Sequence, residues 1–367
     1  MKIAILSMQK VINYGSVLQA YSLREMVRKV SGIEASFLDI EDSPSVEAIM
    51  PVQDGADYQG EYEYSVRGFR RVKKIMMYCV QKWIFFRKIE HFWKDELAIR
   101  REDNEQQYDL VIVGSDEVFK CTDHIRLQLY GSIRQAQKAV TYAASCGAAV
   151  SEGIPQEVVP IIRKSMKNFK AMSVRDEGTE KYVRYLYDGQ ILHHLDPVLV
   201  GPLAKRQGKP VPLSKYMIIY AYNDRIRSKR EIDAIRGFAK EHNLKTVCFG
   251  GVLSWCDLFI PADPFRLLDY FSCAEYVVTD TFHGTIFSII CHKKFVSIQR
   301  KTNKNKMSTL LADLELSQRM VCDMEQLATI LESEINYEKT DAIIEKERER
   351  SENYLKHCVA LCRGREL

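Results

Sequence analysis

Short apolar runs alternate with amphipathic stretches of helical period, and they do so in two separate series along the chain. Such alternation builds parallel sheets, because a parallel pair needs a crossover between its strands and the crossover helices then cover both faces. In the first series, strands are expected at 2–8, 35–40, 109–113, 139–144 and 171–174, with a helix at 16–30 and a long insertion between the second and third strands. In the second, strands at 216–222, 245–249, 276–279 and 295–298 alternate with helices at 228–242, 264–272, 285–291 and 309–313. Pro202, Gly208, Pro210 and Pro212 separate the two and mark a linker. The reading is an α/β protein of two Rossmann-like domains, 1–197 and 213–335, facing a cleft. A charged helix over 337–362 crosses back onto the first domain.

A chain of 367 residues exceeds what one core holds, which agrees with two units. With 46% hydrophobic and 28% charged residues, it has the composition of a globular protein. No run approaches the roughly 18 apolar residues of a membrane span, and the chain enters a strand at Lys2 without a leader pattern. A cytoplasmic protein is therefore expected. Five of its ten cysteines (Cys79, Cys146, Cys248, Cys273 and Cys291) fall within apolar strands and helices. Cys358 and Cys362 stand four apart, and no C-x-x-C occurs, so buried free thiols and no metal site are expected. A net charge of +4 is small for this length and gives no reason to expect nucleic acid as a partner.

One stretch departs from this pattern. Within a helical insertion at about 60–100, residues 67–94 carry nine Lys or Arg against the single Glu90, interleaved with aromatic residues such as Phe69, Trp83, Phe85, Phe86 and Trp93. Basic and aromatic residues on opposite faces suit a helix lying on an anionic membrane. They also suit a surface helix whose apolar face is core and whose basic face is solvated, which is the plainer reading.

Ligands of open parallel sheets bind where strand ends, loops and helix starts converge. Three segments put polar residues there. Asn13-Tyr-Gly15-Ser precedes the first helix, where Gly15 permits close approach and the helix start offers N–H groups. The strand 111–113 runs into Gly114, Ser115 and Asp116, which could cap a helix or bind a hydroxylated substrate. In Thr279-Asp280-Thr281-Phe-His283-Gly284-Thr285, an imidazole sits at a helix start, where the partial positive charge draws an anion to the place where the ring could donate a proton. Arg175 follows the fifth strand, and its planar fork suits phosphate or carboxylate. His193 and His194 read as strand-end structure.

Together, Asn13 to Leu23, Val113-Gly-Ser-Asp116, Thr141 to Ser145, Ser173-Val-Arg-Asp176, Leu195-Asp-Pro197 and Thr279 to Thr285 resemble the polysaccharide pyruvyl transferase family, in order, from residue 1 to about residue 320. The resemblance implies a GT-B-like fold with phosphoenolpyruvate as donor in the interdomain cleft. It also implies an acceptor sugar of a surface polysaccharide, such as a capsule or exopolysaccharide, or of its lipid-linked precursor. His283 would be the general acid and Arg175 the clamp on the donor, with Asn13, Gly15, Ser115, Asp116, Asp280, Thr281, Gly284 and Thr285 binding substrate. No step needs a metal or an organic cofactor. A lipid-linked acceptor would be met at the inner leaflet, through 67–94.

The family's Gly-Ser-Asp-Gln-x-Trp-Asn is here Gly114-Ser-Asp-Glu117-Val-Phe119-Lys120, which points to a changed acceptor. Arg300, Lys301, Lys304 and Lys306 are alternative sources of a further donor contact. Two rival readings share the architecture: a GT-B glycosyltransferase using a nucleotide sugar, and a non-catalytic member of a glycan assembly complex.

Overall fold

The computed structural model describes residues 1–42, 44–47, 69–120, 124–223 and 225–362. The first series forms a six-stranded parallel sheet of β1 (Ile3–Leu6), β2 (Ser36–Leu38), β3 (Leu110–Asp116), β4 (Ala139–Ala144), β5 (Met172–Val174) and β6 (Ile191–His193), in the order β2-β1-β3-β4-β5-β6. The second forms another, of β7 (Tyr216–Ala221), β8 (Lys245–Gly250), β9 (Leu258–Phe259), β10 (Tyr276–Thr279), β11 (Lys294–Ile298) and β12 (Met320–Val321), in the order β9-β8-β7-β10-β11-β12. Every pairing in both sheets is parallel. Strands such as β3 and β7 are buried along their whole length, as helices on both faces require.

The strand order reverses between β1 and β3 in one sheet and between β7 and β10 in the other. A crevice opens beyond the strand ends at each reversal. The two crevices face each other, and this positions the site.

Helix α1 (Tyr14–Ser31) starts at Asn13, whose side chain accepts from the Gly15 N–H at 2.7 Å, and stops at Gly32 in the left-handed region. The insertion holds α2 (Phe69–Asp95). Its Phe85 packs on Tyr14 of α1 at 4.8 Å between ring centroids, and its Phe92 packs on Phe265 of the second domain at 5.1 Å. The outer side of α2 leaves Val80, Trp83 and Phe86 exposed, Trp83 at 64%. Residues 67 and 68 and the side chains of 69–78, including the basic residues Arg70, Arg71, Lys73 and Lys74, lie outside the described residues.

In the first domain α3 (Glu177–Arg184) follows β5, and in the second α4 (Pro264–Cys273) precedes β10. Two further helices flank β11: α5 (Phe282–Ile290) before it and α6 (Lys304–Asp313) after it. The last helix, α7 (Tyr337–Cys362), begins against the second domain, where Tyr337 donates to the Lys293 carbonyl at 2.5 Å. It ends on the first, where Arg348 donates to the Val200 carbonyl and Tyr354 to that of Thr141, each at 2.7 Å. Two of the expected buried thiols, Cys79 and Cys273, are exposed, because they occupy the outer faces of α2 and α4.

Candidate active site

Between the two sheets lies a cavity of about 570 Å³. The first domain contributes Asn13 and Ser16 from the start of α1, Asp116, Glu117 and Lys120 from the end of β3, and Arg175 after β5. The second contributes Tyr222 and Arg225 after β7, Asp280 and Thr281 between β10 and α5, Phe282 and His283 in the first turn of α5, and Asn303 and Lys306 around the start of α6.

His283 occupies the first turn of α5, whose cap is Thr281; the Thr281 hydroxyl accepts from the Gly284 N–H at 3.0 Å. The imidazole therefore sits where a helix start favours anions. Its Nε2 lies 3.5 Å from Asp196 Oδ2, an ion-pair distance but long for a hydrogen bond. Asp196 is buried and does not reach the cavity wall. The same oxygen accepts from Arg175 Nη1 at 2.9 Å and from the Ser115 hydroxyl at 3.4 Å, and Oδ1 accepts from the Val198 N–H. Burial alone would push this carboxyl up, but the contact with His283 and the charge of Arg175 hold it down at about 2. An ionised Asp196 thus ties the first domain's arginine to the second domain's histidine.

Arg175 is itself buried. Asp116 lies 3.9 Å from Nη1, and the guanidinium stacks on Phe282 with its central carbon 4.1 Å from the ring centroid. Arg175 Nε, His283 Nε2 and Asp280 Oδ1 are buried polar atoms without a hydrogen-bond partner among the described residues. Three such atoms around one cavity mark a place where a ligand has something to satisfy.

The second domain's wall is more open. Arg225 donates to the Asp280 carbonyl and to the Thr302 hydroxyl, yet its side chain stays 27% exposed. Lys306 reaches across the cleft to Glu117 at 2.6 Å. That charge, aided by Lys120 at 3.5 Å, holds the Glu117 carboxyl at about 2 despite its burial. Asp280, by contrast, is raised: burial outweighs its ion pair with Arg300 at 3.1 Å.

A family model of polysaccharide pyruvyl transferases matches residues 13–302. The chain belongs to that family. No curated protein matches the sequence. Among solved structures, S. aureus MnaA with UDP is 10% identical with a TM-score of 0.49, covering 98% of each chain. UDP-GlcNAc 2-epimerase of Methanocaldococcus jannaschii, in complex with UDP-GlcNAc and UDP, is 10% identical with a TM-score of 0.47, covering 94% of this chain and 98% of that one. The spinosyn forosaminyltransferase SpnP is 12% identical with a TM-score of 0.42, covering 96% and 95%. Likenesses this distant carry no argument about activity.

In this member of the family, Asn13, Asp116, Arg175, Asp280, Thr281 and His283 line the cavity, whereas Gly15, Ser115, Gly284 and Thr285 do not. Gly15 is required for another reason than ligand approach: a Cβ there would stand 2.1 Å from His283 Nδ1. Gly284 makes room for the Thr279 and Thr281 hydroxyls. Ser115 sits behind the wall on Asp196, and Thr285 bonds Ser297 inside the second domain at 2.6 Å. Ser115 and Asp116 cap no helix, because β3 continues through them; Asp116 instead accepts from the Ser16 hydroxyl at 2.8 Å.

The altered motif divides. Phe119 is core, packed on Tyr130, while Glu117 and Lys120 face the cleft. Of the four basic candidates, only Lys306 lines the cavity; Arg300 is buried against Asp280 and Glu231. His193 pairs with Glu180 at 2.6 Å, and His194, packed between Tyr142 and Tyr354, is pushed by burial to about 3. Sequence reasoning missed Asp196 and Arg225. The Leu195-Asp-Pro197 motif was the one signal available for the first; nothing local signals the second.

Proposed function

We propose that this protein transfers the pyruvyl group of phosphoenolpyruvate to two hydroxyls of an acceptor sugar, forming a pyruvate ketal and releasing phosphate. The buried, Asp196-backed His283 at a helix start, beside the partly exposed Arg225 and the unpartnered Nε of Arg175, carries the reading. One sugar hydroxyl adds to C2 of the enol while protonated His283 delivers a proton to the C3 methylene, which becomes the methyl group. That hydroxyl's proton returns to His283. The second hydroxyl then attacks C2, the C2–O bond to phosphate breaks, and its proton leaves with the phosphate. Asp196 fixes the orientation of the ring. Arg225, Lys306 and the start of α5 neutralise the donor's phosphate and carboxylate, and Arg175 braces Asp196 rather than serving as the principal clamp.

In D₂O, with phosphoenolpyruvate and a panel of hexopyranosides, the expected product is a ketal whose methyl group carries one deuterium, absent with His283→Gln. Consumption of a nucleotide sugar with phosphoenolpyruvate untouched would overturn the proposal.

We further propose that the acceptor is lipid-linked and met at the cytoplasmic face of a membrane. The outward Val80, Trp83 and Phe86 of α2, beside the basic Arg87 and Lys94, support this. No helix among the described residues is long and apolar enough to cross a membrane. Pelleting with anionic vesicles should fall in a Trp83→Ser/Phe86→Ser variant, and equal pelleting would remove the membrane proposal.

A further inference from the structure

The mouth of the cleft is unlike its interior. Val11 and Ile12 on the loop after β1, Val150 on the loop after β4 and Tyr222 after β7 all line the same cavity, and they are 45%, 48%, 41% and 45% exposed. Exposed apolar side chains scattered singly mean little, but four around one opening form a patch, and such patches mark binding sites. Deeper in, the cavity is charged, with Asp116, Glu117, Arg175, Arg225 and Lys306. The volume of about 570 Å³ lies in the range that encloses a drug-sized ligand, far more than a three-carbon phosphoester fills.

Tyr222 is held in place. Its hydroxyl accepts from Asn13 Nδ2 at 3.0 Å, across the two domains, and the Arg225 guanidinium carbon stands 5.5 Å from its ring centroid. A fixed aromatic ring with an apolar rim beside it suits a pyranose, whose C–H face is apolar and whose hydroxyls project at its edge.

We infer that Tyr222, with Val11, Ile12 and Val150, is the acceptor subsite and takes a hexopyranose ring stacked through its C–H face. This rests on the proposed pyruvyl transfer and adds where its acceptor binds. The ring on Tyr222 directs its edge hydroxyls inward to the charged interior, where the donor binds. Specificity among sugars then depends on which hydroxyls lie on the edge facing Arg225 and Lys120, the latter standing where the family carries Asn.

The test is calorimetric titration of nitrophenyl α- and β-hexopyranosides of the gluco, galacto and manno series into the intact protein, with and without phosphoenolpyruvate. Phosphoenolpyruvate is titrated separately. At least one glycoside is expected to bind the wild type, to bind Tyr222→Ala roughly tenfold more weakly, and to bind Tyr222→Phe nearly as well, since the ring and not the hydroxyl makes the stack. A Val11→Ser/Ile12→Ser variant should weaken it too. Phosphoenolpyruvate should bind all of these alike. Unchanged glycoside affinity in Tyr222→Ala overturns the subsite, as does a wild type that binds phosphoenolpyruvate and no glycoside. If glycosides bind through Tyr222 but phosphoenolpyruvate does not bind, the subsite stands and the donor assignment falls.

Discussion

The two walls of the cleft treat their arginines differently. Arg175, in the first domain, is buried, faces Asp196 and Asp116, and stacks on Phe282. Arg225, in the second, is partly open, and among the described residues the carboxylate paired with it is that of Asp280, at 4.0 Å. An arginine whose charge is already met by buried carboxylates holds structure, and one that keeps exposure can meet an incoming anion. In the proposed reaction the first wall's arginine is therefore part of the frame, and the second wall supplies the acid and the arginine open to the donor.

The division can be broken by substitution. His283→Gln should lower turnover by roughly 10² to 10⁴ while leaving phosphoenolpyruvate binding within a few-fold, since removing the acid leaves the anion contacts in place. If binding is lost as well, the histidine is part of the clamp. Arg175→Ala should cost about 3–5 kcal/mol in denaturant unfolding, because it strands a buried carboxylate. Arg225→Ala should leave the unfolding midpoint nearly unchanged yet weaken phosphoenolpyruvate roughly 10- to 100-fold, the value of a charged hydrogen bond. The opposite pattern would exchange the roles of the two walls. Gly15→Ala forces a Cβ onto His283 and should cost about 1–3 kcal/mol together with activity.

The smallest effect concerns the pair that spans the walls. Glu117 has a carboxyl lowered to about 2 by Lys306, so its contribution to stability is present above the unfolded value of about 4.3 and is lost as pH falls toward 2. Glu117→Gln should be slightly less stable than the wild type at pH 6, and the two should converge in unfolding measurements as the pH approaches 2. A difference that persists there would mean the pair contributes something other than charge.

Much of this was legible in the sequence. The long apolar runs that became β1, β3, β7 and β10 announced themselves, as did the turn that carries His283. The two-residue strands β9 and β12 escaped, because so short a segment shows no alternation and is defined by its neighbours; β2 and β5, of three residues each, lay inside the expected 35–40 and 171–174, and β6 showed only as a strand end at His193 and His194. The sequence suggests a ligand near Gly15, whereas what fills that space is the His283 ring, supplied by the other domain. Arg225 and Arg175 look equally suited to a phosphate as residues; burial separates them, and burial is a property of the packed chain. Asp196 was visible within a motif, but its link to His283 exists only when the two sheets meet.

The most direct measurement is calorimetric titration of phosphoenolpyruvate into the wild type and Arg225→Ala, with UDP as a rival ligand. The account predicts binding of phosphoenolpyruvate to the wild type, weakened at least tenfold in the variant, and none of UDP. Binding of UDP without phosphoenolpyruvate would contradict it.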